Sequence, residues 1–225
     1  MFLLIGFTDV DIAYNDNDWS NKFFSTNQKS VKNYYNEVSN GKVQITPAPE
    51  TYGTQNDGVV KVKLDYAHPS TSGKSMGTVI TDALAKADSQ VNFASLDTNN
   101  DQVIDSKDGF YIVSFLAGNE QAAPGAPLPY IWAHQSVCSQ IQITMVLLLS
   151  GMYTAQGEKQ YGHMATIGIP AHELGHSFGL PDLYGDNNRV GSLSIMGNIL
   201  EYLQGEDYGA TPGHMDAWSK VKLDL

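Results

Sequence analysis

The sequence predicts an α+β domain: a mixed, twisted sheet with helices, one of them bearing paired histidines, and a smaller C-terminal lobe. Three observations lead there. Apolar runs of strand length recur along the chain, amphipathic segments with capping residues stand between them, and a histidine pair lies between Pro170 and Gly179, residues that start and stop helices. The 225 residues, 42% of them hydrophobic, suffice for one domain with a sizeable core. Residues 1–225 are therefore read as one domain, with an upper lobe over about 1–178, a lower lobe over about 179–225 and a cleft between them.

Phe2 to Phe7 is a continuous apolar run, which suits a central strand buried on both faces. The Asp and Asn residues of DIAYNDNDWSN read as turn formers. Ser30 caps a helix in which Val31, Tyr34, Tyr35 and Val38 share one face, and Gly41 ends it. Val43 and Ile45 alternate with polar neighbours as a short strand ended by Pro47 and Pro49. Val60, Val62 and Leu64 alternate with Lys61 and Lys63 as a strand with one wet face. His68 reads as a surface histidine before a second helix, whose stripe is Met76, Val79, Ile80, Ala83, Leu84 and Ala87.

The segment DTNNDQVIDSKD offers oxygen donors at alternating positions, the pattern a hard cation requires. Asp97, Asn99, Asp101, Asp105 and Asp108 take positions one, three, five, nine and twelve of a calcium loop. Gln102 replaces the usual glycine at position six, and Asp108 is shorter than the usual glutamate. Gly109 to Ala117 reads as a buried strand, followed by a Pro- and Gly-rich loop. Ile131, Trp132 and His134 read as a short edge strand, and Ile141 to Leu149 as an apolar strand. The last helix is expected to pack through Met215, Trp218 and Val221, and His163 and His214 to be structural.

The chemistry concentrates in HELGHSFGLPD. His172 and His176 are four apart, so on a helix their imidazoles project from one face and can share a metal ion. Gly179 ends that helix and Pro181 prevents its restart, a turn that swings Asp182 back as a third ligand. Two histidines, an aspartate and a water fill the four positions of zinc. Glu173, beside the first histidine, is placed to take a proton from that water. A bare HExxH arises by chance on amphipathic helices; the extension to HExxHxxGxxD makes metal a better reading than a buried histidine pair.

The run AHELGHSFGLPDLYGDNNRVGSLSIMG resembles the active-site region of the immune inhibitor A family of secreted zinc metalloproteases, whose members carry HExxHxxGxPD followed by a methionine turn. That family is similar to the metzincins, in which a methionine loop lies beneath the metal; Met196 is the matching residue. LLIGFTD, SVKNYYNEVSNGKVQI, NFASLDTNNDQVID, YIWAHQS and TPGHMDAWSKVKL extend the resemblance over most of the chain, while little between Gly118 and Tyr161 aligns. The resemblance implies a metzincin-like zinc endopeptidase acting on protein or peptide substrates. It further implies an edge strand that holds extended substrate, and a hydrogen bond to the transition-state oxyanion from Tyr202 or Tyr208.

The charge balance, 13 basic against 24 acidic residues, gives −11 and argues against nucleic acid or an anionic membrane as partner. No apolar run reaches membrane-spanning length. Cys138 is the one cysteine, so no intrachain disulfide is possible and bound metal is the expected stabiliser. MFLLIGF is too short for a signal peptide; a secreted monomer is expected, with signal and propeptide outside this chain. Two other readings stand beside the endopeptidase: a catalytically inactive, zinc-stabilised binding module, and a gluzincin-like peptidase with Glu201 as third ligand.

Overall fold

The computed structural model describes residues 1–26, 29–142, 148–185, 190–197 and 203–225, with only the backbone of residues 139, 140, 142 and 148. The chain divides into two compact units, one of residues 1–17 and 47–164, the other of residues 18–46 and 165–225.

The first unit is built on a mostly parallel sheet. The apolar run at the start forms β1 (Phe2–Gly6), buried at every position and lying between two parallel neighbours. After α1 (Asp16–Phe24) and α2 (Val31–Val38), β2 (Val59–Lys63) pairs with it on one side, with Val60 opposite Leu3. Short α3 (Pro69–Ser72) leads to α4 (Met76–Ala87), capped by Ser75 through Thr78 N–H and buried along the expected stripe except at Met76. Next come β3 (Val103–Ile104), β4 (Ile112–Glu120), β5 (Tyr130–Ile131), β6 (His134–Gln142), β7 (Leu148–Gln160) and β8 (His163–Met164). Among the described residues the order is β2-β1-β4-β7-β3; β5 lies parallel to β4, while β6 and β8 run antiparallel to β7.

Several local expectations change here. The stretch from Ile131 to His134 is two strands, with Trp132 exposed between them. The buried Glu120 carboxylate holds that junction, accepting the N–H groups of Ala122 at 2.8 Å, Ala133 at 3.1 Å and Gly157 at 2.9 Å. Of the apolar run Ile141–Leu149, the two ends fall in β6 and β7, and 143–147 lie outside the described residues. β7 then continues through a polar sequence that no apolar pattern announces: Thr154, Gln156, Glu158 and Gln160 are all fully buried. They tolerate burial because partners meet some of them. Gln156 donates to Ser114 O at 2.9 Å, and Glu158 accepts Ala13 N–H at 2.9 Å.

His68 is fully buried, contrary to a surface role. Its Nδ1 caps α3 by accepting Ser70 N–H at 3.1 Å, and its ring meets Phe7 edge-on at 5.0 Å. Val43 and Ile45 belong to no strand. The turn formers of residues 11–21 instead start α1, which buries Trp19 and Phe23.

In the second unit, α2 packs on α5 (Gly168–Ser177). Ser30 caps α2 by accepting Asn33 N–H at 3.0 Å, and Tyr34 and Tyr35 face inward. The closing helix α6 (Ala217–Lys222) buries Ser219, while Trp218 and Val221 are exposed, so the expected apolar face is reversed; Met215, which precedes the helix, is buried. Among the described residues no helix is long and apolar enough to cross a membrane.

Candidate active site

Helix α5 is buried at nine of its ten residues, which is how a helix with two histidines and a glutamate is held rigid rather than solvated. Two contacts fix it from below. Tyr35, fully buried, donates its hydroxyl to Ala171 O at 2.6 Å, and Met196, also fully buried, lies against the helix at Gly175. A β-carbon at Gly175 would stand 2.6 Å from Met196 Sδ, so the absence of a side chain there permits this close packing. Met196 therefore lies against the helix at the residue that directly precedes His176.

The helix ends as its sequence requires. Gly179 has φ +89, the left-handed conformation, and Leu180 N–H returns to Gly175 O at 3.1 Å. The chain then runs without regular structure from Leu180 to Tyr184, anchored where Leu183 N–H donates to Met196 O at 2.8 Å. One turn thus serves two purposes: it stops the helix and carries Asp182 back to the histidines.

Both imidazoles are oriented by backbone carbonyls. His172 Nδ1 lies 2.9 Å from Ile195 O and His176 Nδ1 lies 2.7 Å from Leu180 O. A carbonyl only accepts, so each Nδ1 carries a proton and each Nε2 of the neutral ring presents a lone pair. The two Nε2 atoms are 3.1 Å apart, and Asp182 Oδ1 is 3.2 Å from that of His172 and 3.1 Å from that of His176. Three acceptor atoms so close repel one another unless a cation lies among them.

That donor set fits zinc. Bonds of about 2.0–2.2 Å to a tetrahedral ion place ligand atoms about 3.3–3.6 Å apart, close to the triangle seen here, and two imidazole nitrogens with a carboxylate oxygen are ordinary zinc ligands. Among the described residues, His172, His176 and Asp182 are the one such group of three that converges. Glu173, on the same helix, is buried.

Glu201 and Tyr202 lie outside the described residues. Tyr208 is exposed, and its carbonyl accepts the Thr166 hydroxyl at 2.7 Å. The tyrosine found beside the histidines is Tyr184, which sequence reasoning passed over. Its ring lies 6.0 Å from that of His172 at 26°, and its hydroxyl neighbours the Asp182 carboxylate. The signal was its place two residues after the third ligand, inside PDLY.

The loop of residues 97–108 lies in the first unit. Its oxygens accept the loop's own N–H groups: Asp97 takes those of Asp101 and Gln102, Asn99 that of Asp101, and Asp108 those of Thr98, Asn99 and Asp105. Asp105 caps Lys107 N–H at 2.7 Å. Gln102 has φ +67, the left-handed conformation usual for the glycine at that position of a calcium loop.

The sequence model described as the immune inhibitor A peptidase M6 catalytic domain matches residues 7–224, nearly the whole chain. Among curated proteins, none matches.

Proposed function

The chain belongs to the immune inhibitor A peptidase M6 family, so it is a peptidase, and from that premise we propose that it is a zinc-dependent endopeptidase with a metzincin-like catalytic domain. The observation that carries this reading is the triangle of His172 Nε2, His176 Nε2 and Asp182 Oδ1, with edges of 3.1–3.2 Å. Asp182 completes that group, which favours it over the gluzincin-like arrangement as third ligand.

His172, His176 and Asp182 would hold the ion. Zinc, when bound, supplies Lewis acidity at the scissile carbonyl and at the attacking water. The proton chemistry belongs to Glu173. Its carboxylate takes a proton from the attacking water as the new C–O bond forms, and returns it to the leaving amine nitrogen as the C–N bond breaks. Burial of Glu173 in a rigid helix spares that carboxylate reorganisation during the reaction. The supports under the helix, Tyr35 at Ala171 and Met196 at Gly175, keep base and ligands in fixed register.

The test is zinc content together with casein hydrolysis, with and without chelator, for the wild type and Glu173→Ala. The expected outcome is one zinc in both proteins, with hydrolysis lost by about 10²–10⁴-fold or more in the variant. Full hydrolysis by zinc-loaded Glu173→Ala would refute the role of that residue, and chelator-resistant hydrolysis would refute zinc dependence. Zinc without hydrolysis in the wild type would instead favour the inactive binding module.

A further inference from the structure

The three candidate ligands are not equally supported. His172 and His176 are each locked by a backbone carbonyl on Nδ1, and their side chains are 2% and 17% exposed. Asp182 follows the helix in a stretch without regular structure, and its side chain is 44% exposed. A carboxylate that free rotates about its side-chain bonds and meets solvent, which loosens a metal site unless another group holds it. Ligating carboxylates are in turn held by hydrogen bonds, and removal of such a partner costs metal affinity.

We propose that Tyr184 is the positioning residue of this site: its hydroxyl holds the Asp182 carboxylate toward the two Nε2 atoms while its ring covers one face of His172. The inference rests on the zinc reading above and deepens it. The hydroxyl of Tyr184 neighbours the Asp182 carboxylate, and its ring lies nearly parallel to the His172 imidazole at 6.0 Å. Between the two residues, Leu183 is tied to the methionine loop by its N–H to Met196 O at 2.8 Å. The segment is therefore pinned at its middle, with the aspartate on one side of the pin and the tyrosine on the other. Tyr184 is 52% exposed, more than packing alone would leave a tyrosine placed for core stability.

This gives Tyr184 a role that acts through Asp182 and separates it from a residue touching substrate. Loss of the hydroxyl weakens metal binding while leaving the ring, the fold and the proton chemistry of Glu173 in place. Loss of the ring as well uncovers His172 and weakens binding further.

The experiment measures metal affinity directly. Metal-stripped wild type, Tyr184→Phe and Tyr184→Ala are titrated with zinc against a competing chelator, and with cobalt to follow its visible absorption. Peptide hydrolysis is then measured at saturating zinc, and thermal unfolding in chelator. The expected result is a zinc Kd raised about 10–100-fold in Tyr184→Phe and more in Tyr184→Ala. A changed cobalt spectrum, a kcat within a few-fold of wild type once zinc saturates, and unaltered melting of the metal-free Tyr184→Phe protein complete the expectation. Unchanged zinc affinity in Tyr184→Phe would overturn the proposal. So would a large fall in kcat at saturating zinc with unchanged affinity, which would place the hydroxyl on the substrate. Failure of the zinc reading shows separately, as a wild type that takes up no zinc in the same titration.

Discussion

Gly175 stands between the two histidines, and its missing side chain determines how closely the helix approaches Met196. Met196 is fully buried and has little room to withdraw from an added methyl group, which would meet its sulfur at 2.6 Å. Gly175→Ala is therefore expected to destabilise the protein by about 1–3 kcal/mol, overcoming the usual helix preference for alanine. The urea midpoint measures it, and an unchanged or raised midpoint would mean that the methionine yields. At this scale the candidate ligands stood out in the sequence because metal chemistry demands fixed residue types at fixed spacing. His172, His176 and Asp182 meet as their spacing implies. Tyr184 was not legible, because a tyrosine has no obligatory partner; only the folded turn brings it to Asp182 and His172.

Elements announced by apolar periodicity or a cap formed where expected: β1, α2 and α4 are clear cases. β7 went unread beyond its first residues because its buried face carries Thr154, Gln156, Glu158 and Gln160, polar groups that burial in a sheet interior rarely favours. α6 was read with the wrong face for the opposite reason, since Trp218 and Val221 are apolar but exposed. His68 belongs to this scale too, as the cap of α3. Burial depresses its imidazole from 6.5 to about 4, against the pull of Asp9. Its folded value is below its unfolded one, so its contribution is complete above pH 6.5 and is lost as pH falls toward 4. The wild type should lose about 2 kcal/mol through this group between pH 7 and pH 4.5. A His68→Gln variant should lack that part of the fall, and urea midpoints at the two pH values compare them; parallel losses would assign the acid sensitivity elsewhere. For the loop of residues 97–108 we propose calcium binding, supported by its alternating oxygen donors and the left-handed turn at Gln102. Calcium should raise the melting temperature of the wild type and not of Asp97→Ala; an equal rise in both would leave the loop held by its own hydrogen bonds.

Over the whole molecule the candidate zinc ligands all lie in the second unit, and the sheet in the first. A ligand selective for the folded state stabilises it by about 2.7 kcal/mol at a hundredfold excess over its dissociation constant. Zinc removal should therefore lower the melting temperature, and amide exchange should rise first in residues 178–185 and 190–197, leaving β1, β4 and the described part of β7 protected. Uniform loss of protection would mean that metal supports the entire fold rather than its own segment. A sheet with helices was legible as a class, whereas its mostly parallel pairing and the interleaving of the units were not, because nothing in local composition marks strand direction or the crossings at residues 17, 46 and 164. That interleaving limits how the gene can be divided. A fragment beginning at residue 165 would encode every candidate zinc ligand and Glu173, yet it would omit Tyr35, whose hydroxyl donates to the carbonyl of Ala171, and the helix that carries it. The candidate chemistry is written in one contiguous stretch, but its foundation is written more than a hundred residues earlier, so that stretch is not transplantable as a cassette.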